Sequence, residues 1–306
     1  MGVAAGYTNN LIMPFLKSLR ATSYAGKVCL FVGGISDDAI TELKTFADDV
    51  LVLDGIYGAE IEKHHLRDYV QWLAKVRVTR LVRRLYPTLF RAALRRARGD
   101  QRVKLRLDLE QCLEGFQSLR YWHYRDYLDN HAPDADFVML SDVRDVVFQN
   151  DPFGHTFDTD LEVFLEAPHL TLGDEPFNSR WIDDLYGPDA VRALKGFVIS
   201  CSGTTMGTRS GIRRYLTQMI GQVTRHDWPL GSHDQGIHNY LLRQGRLDPV
   251  TIYENGAGPV LTMSIGTDVS QDAAGCFLNQ DGQPAPVVHQ YDRHPKLAEQ
   301  VWQRYA

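Results

Sequence analysis

Residues 137–153 read FVMLSDVRDVVFQNDPF, an apolar run interrupted by two acids. A carboxylate at the tip of a buried strand is costly unless a cation or hydrogen-bond donors compensate it. Asp142 and Asp145 stand three residues apart, close enough for both to reach one hard cation across a turn. Two plainer arrangements fit the same residues: a salt bridge to Arg144, or a turn capped by Asp142. Further along, residues 233–240 (HDQGIHNY) carry two histidines and an acid at the start of a helical pattern. Asp234 there suits either an N-cap or a group that touches substrate. Val287-Val288-His289 ends an apolar run on a histidine, a position that serves equally for packing or for ligation.

The elements that must position these residues alternate between strand and helix. Val3 to Tyr7 predicts a strand, Asn10 to Arg20 a helix, and Lys27 to Val32 a second strand ending in Gly33-Gly34. Ser36-Asp37-Asp38-Ala39 is a capping sequence for a helix running to about Ala47, and Val50 to Leu53 is a third strand before Asp54-Gly55. Three such units in succession predict a parallel sheet covered by helices on both faces. Ligands bind such sheets at the carboxyl ends of the strands, here the loops after Tyr7, Gly34 and Asp54. Cys112 to Leu128 reads as an aromatic-rich helix, while Phe137 to Leu140, Leu161 to Leu165 and Phe197 to Cys201 read as strands. Residues 199–207 (ISCSGTTMG) read as a strand running into a small-residue turn. Ile212 to Val223 and His238 to Arg243 read as helices, and Asp281-Gly282 as a hairpin turn leading into Val287 to His289.

Composition narrows the classes. With 306 residues, 44% hydrophobic and 23% charged, the chain has the balance of a soluble globular protein. No stretch reaches the ~20 apolar residues of a membrane-spanning helix, and no signal-peptide pattern opens the chain. Cys29, Cys112, Cys201 and Cys276 are widely spaced without a C-x-x-C pair, which predicts reduced thiols rather than zinc and a cytoplasmic location. The net charge of −5 conceals an asymmetry: residues 75–106 carry +11 and the remainder −16. Apolar residues recur there at helical spacing, so the segment reads as basic amphipathic helices broken near Pro87. Such helices either pack on the acidic remainder or touch an anionic membrane through 75–98, peripheral to its inner face. A largely acidic body argues against a nucleic-acid groove.

A buried strand, an acidic turn, then DVVFQNDPF resembles the DxD region of nucleotide-sugar glycosyltransferases with the GT-A fold. The resemblance implies an α/β, Rossmann-like, mostly parallel sheet in one catalytic domain over 1–306, with residues 58–110 a basic helical insertion outside the family pattern. It places Asp145 at the last Asp of the motif, the ligand of a donor-bound Mn²⁺ or Mg²⁺. Val143 occupies the first Asp position and Asp142 stands one residue earlier, so Asp142 is assigned to metal or to the donor's ribose or sugar. The strand-ending His289 matches the C-terminal histidine that supplies a further metal ligand in many members. By the same resemblance, Ala5, Gly6, Tyr7 and Thr8 border the nucleotide, and Gly203 in the small-residue segment lines the sugar pocket. Arg120 and Arg125, on a basic aromatic helix, reach the donor and act in catalysis or else pair with nearby acids such as Asp126, and Arg293 neutralises the diphosphate or is a surface residue. Asp234, in a D-Q motif, acts in catalysis.

The function so implied is metal-dependent transfer of a sugar from a UDP- or GDP-type donor to a hydroxyl of a glycan or lipid-linked acceptor, tilted toward retention of configuration. A DNA-modifying glycosyltransferase and a non-catalytic sugar-nucleotide or glycan-binding module are the alternatives. A sugar-nucleotide pyrophosphorylase is set aside because its Gly-rich signature is absent from the first turn, AAGYTNN.

Overall fold

The protein is described here from a computed structural model covering residues 1–53, 96, 117–226 and 233–305. The expected basic helices of 75–106, their membrane contact and most of the 58–110 insertion therefore lie outside the described residues, Arg96 apart.

The first half follows the strand–helix alternation: β1 (Gly2–Ala5), α1 (Asn9–Arg20), β2 (Cys29–Gly33), α2 (Asp37–Leu43) and β3 (Asp49–Val52). Ser36 caps α2 as its sequence predicts, its hydroxyl accepting from the Ala39 amide at 3.3 Å. After α3 (Arg120–Asn130) come β4 (Phe137–Ser141), β5 (Val146–Phe148) and β6 (Leu161–Leu165). Helices α4 (Pro176–Tyr186) and α5 (Pro188–Leu194) lead to β7 (Ser200–Thr208), α6 (Arg209–Val223) and α7 (Asp234–Arg243). The chain closes through β8 (Thr251–Tyr253), β9 (Val260–Thr262), β10 (Val287–His289) and α8 (Pro295–Tyr305).

Seven strands form one sheet in the order β3-β2-β1-β4-β7-β6-β8; β7 runs against its two neighbours and the other six share a direction. This is an α/β, mostly parallel sheet flanked by helices. Alternate strand residues feed two separate cores, as a sheet covered on both faces requires. Val3, Phe31 and Leu140 pack with Tyr121 and Tyr124 of α3 and Ile212 and Leu216 of α6. Ala4, Leu30 and Met139 pack on the opposite face with Ile12 and Leu16 of α1. A second, three-stranded sheet, β5-β10-β9, stands beside the first. The turn at Asp281-Gly282 forms as expected, with Gly282 at φ 71° and its amide bonded to the Asn279 carbonyl at 3.1 Å.

One expectation is corrected. The segment 199–207 is strand where a turn was expected: β7 runs from Ser200 to Thr208, pairing with β4 over Thr204–Thr208 and with β6 at Ser200 and Thr205–Gly207, with a register shift between Val163 and Leu165. Its small residues serve close approach instead of a turn. A Cβ on Gly207 would overlap the Asp160 carbonyl, and one on Gly203 would overlap the Asp142 carboxylate.

Candidate metal centre

Asp142 follows the last residue of β4, and its amide donates to the Gly203 carbonyl on β7 at 2.7 Å. Asp145 immediately precedes β5. Because β10 pairs antiparallel with β5 in the register His289 opposite Val146, the histidine is drawn to the strand end beside Asp145. The Gln290 amide locks this arrangement by donating to the Asp145 carbonyl at 2.8 Å. His289 Nε2 stands 3.7 Å from Asp142 Oδ2 and 3.9 Å from Asp145 Oδ1. One ligand atom from each of the three lies within 4.8 Å of the others.

His289 is 1% exposed, and neither ring nitrogen makes a hydrogen bond. A buried imidazole with both nitrogens unbonded is an unusual expense, and a shared cation would satisfy Nε2, the nitrogen that faces the two carboxylates. Two carboxylates and an imidazole are an apt donor set for a divalent ion such as Mn²⁺ or Mg²⁺. Burial works against charge on all three groups. At Asp142 the Arg120 guanidinium, with His289, overcomes it and holds the carboxyl well below the usual range. At Asp145 burial prevails over His289, and the neighbouring Asp142 charge adds to it, so its pKa is raised. At His289 burial is outweighed by Cys201, Asp142 and Asp145, which push the ring well above its ordinary value.

Arg120, at the start of α3, is buried and bridges two carboxylates: Nη1 lies 2.6 Å from Asp142 Oδ1 and Nη2 2.6 Å from Asp234 Oδ2. Asp234 is the first residue of α7, where His233 holds the cap position. The Asp234 carboxylate turns inward to Arg120, and the Tyr121 hydroxyl donates to it at 3.0 Å. Burial raises its pKa despite the guanidinium. Arg125 takes a different direction on the same helix; its Nε pairs with Asp129 at 3.8 Å, and the side chain is 41% exposed.

At the end of β1, Ala5 is buried and Gly6 takes φ 75°, a conformation glycine enters freely, with its amide bonded to the Gly33 carbonyl at 2.8 Å. Tyr7 is half-buried within the fields of Asp142, Arg144, Asp145 and Arg120; burial comes first in raising its pKa. Thr8 holds the cap position before α1 without a side-chain cap bond. Arg293 lies in a short 3₁₀ turn after β10, pairing with Asp292 at 2.9 Å and reaching Asp145 at 4.0 Å.

The structure thus gathers Asp142, Asp145, His289, Arg120, Asp234, Gly203, Tyr7 and Arg293 and leaves Arg125 apart. It also brings in residues that the sequence did not assign to the centre. Arg144, read above as a salt-bridge partner, does face Asp145 at 3.9 Å but sits closer to Asp292, at 3.0 Å. Tyr121 anchors Asp234, and Gln290 adopts a left-handed φ of 60° directly after the histidine. The described thiols Cys29, Cys201 and Cys276 are free, as expected. No described helix is long and apolar enough to cross a membrane.

No protein-family model and no curated protein sequence matches this chain. What the centre can do chemically rests on its own geometry.

Proposed function

We propose that this protein is a metal-dependent glycosyltransferase of GT-A type, moving a sugar from a nucleoside-diphosphate donor to a hydroxyl acceptor. The observation that carries the reading is the convergence of Asp142, Asp145 and the unbonded His289 at the carboxyl end of β4. That edge of an α/β sheet is where such folds take ligands, and Tyr7 at the adjacent end of β1 lies within the same electrostatic neighbourhood.

Asp142, Asp145 and His289 would hold Mn²⁺ or Mg²⁺, which supplies Lewis-acid stabilisation of a diphosphate leaving group. The chain's own residues supply the rest. Arg120 is fixed by Asp142 and Asp234, so the guanidinium is oriented before substrate arrives. Arg144 and Arg293 flank Asp145, each more than a third exposed, and present positive charge where a diphosphate departs. Gly203 leaves room for the Asp142 carboxylate. Asp234 is engaged by Arg120 and Tyr121, which makes it an anchor for the guanidinium and a poor general base. Its engagement favours transfer with retention of anomeric configuration.

The test is a thermal-shift and calorimetric screen of UDP-, GDP-, CMP- and dTDP-sugars, with and without Mn²⁺. A donor that binds the folded state raises the melting temperature by an amount set by its concentration relative to Kd. The expected result is a rise for one nucleotide class that needs Mn²⁺ and disappears in Asp145→Ala. Metal-independent stabilisation by every compound, unchanged in that variant, would overturn the reading.

A further inference from the structure

The transferase reading leaves one carboxylate near the centre without a role. Glu166 directly follows β6 and is 6% exposed. Its side chain has two long contacts: Gln235 Nε2 donates to Oε1 at 3.4 Å and Ser264 Oγ to Oε2 at 3.3 Å. A carboxylate has about four acceptor sites, so capacity remains for further donors. Glu166 makes no ion pair within 4.0 Å among the described residues, unlike Asp142, Asp145 and Asp234. Its field partners include His289 and Arg293 of the metal centre.

The sheet order gives this carboxylate an address. At the ligand-binding edge the row runs from Tyr7 after β1, to Asp142 after β4, to Ser202 and Gly203 at the start of β7, to Glu166 after β6. Strands lie about 4.8 Å apart, so Glu166 stands roughly two spacings, ~10 Å, beyond the strand that carries Asp142. A nucleotide beside β1 with its diphosphate at Asp142 would extend its sugar over β7. Glu166, across β7 from Asp142 in the strand order, would then face that sugar. Gln235 ties Glu166 to the same wall: its Nε2 also donates to Asn178 Oδ1 at 3.2 Å, and its Oε1 accepts from Cys201 Sγ at 3.4 Å.

We propose that Glu166 reads the donor's glycosyl group, its carboxylate accepting hydrogen bonds from sugar hydroxyls while Gln235 holds it in place. The assignment rests on the transferase reading and adds to it a specificity-determining residue. A buried carboxylate here selects a neutral, hydroxyl-bearing sugar over one carrying its own carboxylate, because like charges in an enclosed site repel.

The experiment is isothermal titration of the protein with Mn²⁺ present, using UDP, UDP-glucose and UDP-glucuronate, and GDP and GDP-mannose. The proteins are the unaltered chain, Glu166→Gln and Glu166→Ala; the first variant preserves shape should the second fail to fold. The expected result is bare nucleoside diphosphate affinity held within about twofold, and affinity for the neutral sugar nucleotide lowered about ten- to hundredfold. Discrimination against the glucuronate should shrink in Glu166→Gln. Equal losses for bare and glycosylated nucleotide, or no loss for either, would overturn the assignment while leaving the transferase reading intact. Failure of the unaltered protein to bind any nucleotide with Mn²⁺ overturns both.

Discussion

Gly203 and Asp142 share one volume: a methyl group on the glycine would overlap the aspartate's carboxylate and stand 2.8 Å from His289 Cε1. The glycine is the fourth residue of the buried strand β7, its carbonyl accepting from the Asp142 amide, and a missing side chain in a strand weakens packing. Its place is explained by what its absent side chain admits. The two acids of residues 142–145 and the histidine 144 positions after Asp145 can meet only because β7 is smooth beneath them.

Replacing that glycine should therefore strike the centre harder than the fold. Gly203→Ala is expected to destabilise the protein by about 1–3 kcal/mol through overpacking and to weaken Mn²⁺ binding by at least about tenfold. Urea melts and metal titration measure the two effects separately. A variant that binds Mn²⁺ as tightly as the parent would show that Asp142 is not a ligand.

His289→Gln removes the imidazole while keeping a polar side chain of related reach. Loss of one protein ligand should abolish the Mn²⁺-dependent rise in melting temperature and reduce transfer by about a hundredfold or more. Stability without metal should fall little or rise, since an unsatisfied buried ring is removed. Differential scanning calorimetry with and without Mn²⁺ separates these outcomes.

Arg120 lies between two carboxylates in a buried setting, so its removal leaves both uncompensated. Arg120→Met should cost about 3–5 kcal/mol of stability. Adding Asp234→Asn to that variant should recover part of the loss, because one stranded charge disappears. A double-mutant cycle by denaturant unfolding tests the coupling, and strict additivity would refute it.

His238 offers a prediction about pH away from the candidate metal centre. The ring is buried between the Tyr215 hydroxyl at 3.0 Å and the Ser200 hydroxyl at 2.9 Å. Burial, followed by the Arg243 and Arg120 charges, pushes its pKa down from 6.5 to about 3. The unfolded chain thus binds a proton at a pH where the folded chain does not. This contribution to stability is fully present above about pH 6.5 and is lost as the pH falls from there toward about 3, at up to about 1.4 kcal/mol per unit. His238→Asn should flatten that slope in urea titrations at pH 4 to 7.

The strand–helix alternation of the first 53 residues was legible because each element carries its own signal. Ser36 announces α2, and the apolar runs of β2 and β4 announce buried parallel strands. The small-residue segment 199–207 was misread for a physical reason. Glycine at 203 and 207 marks either a bend or a close approach, and only the neighbours Asp142 and Asp160 distinguish them. Arg125 and Arg120 look alike in sequence, yet five residues along a helix turn them to different sides, one to Asp129 and one to the paired acids. Glu166 carried no local pattern at all; only the strand order sets it two places from β4.

By itself, the chain of residues determined the α/β alternation, the acidic turn at Asp142 and Asp145, and a histidine at the end of an apolar run, since propensity, periodicity and capping act over a few positions. Whether those three side chains would meet was beyond it. That was decided by the pairing of β10 with β5 and by the insertion of β7 beside β4, contacts between segments more than sixty positions apart in sequence. Strand register is set by the burial of whole faces at once, and a cation's ligands are only as close as that register makes them.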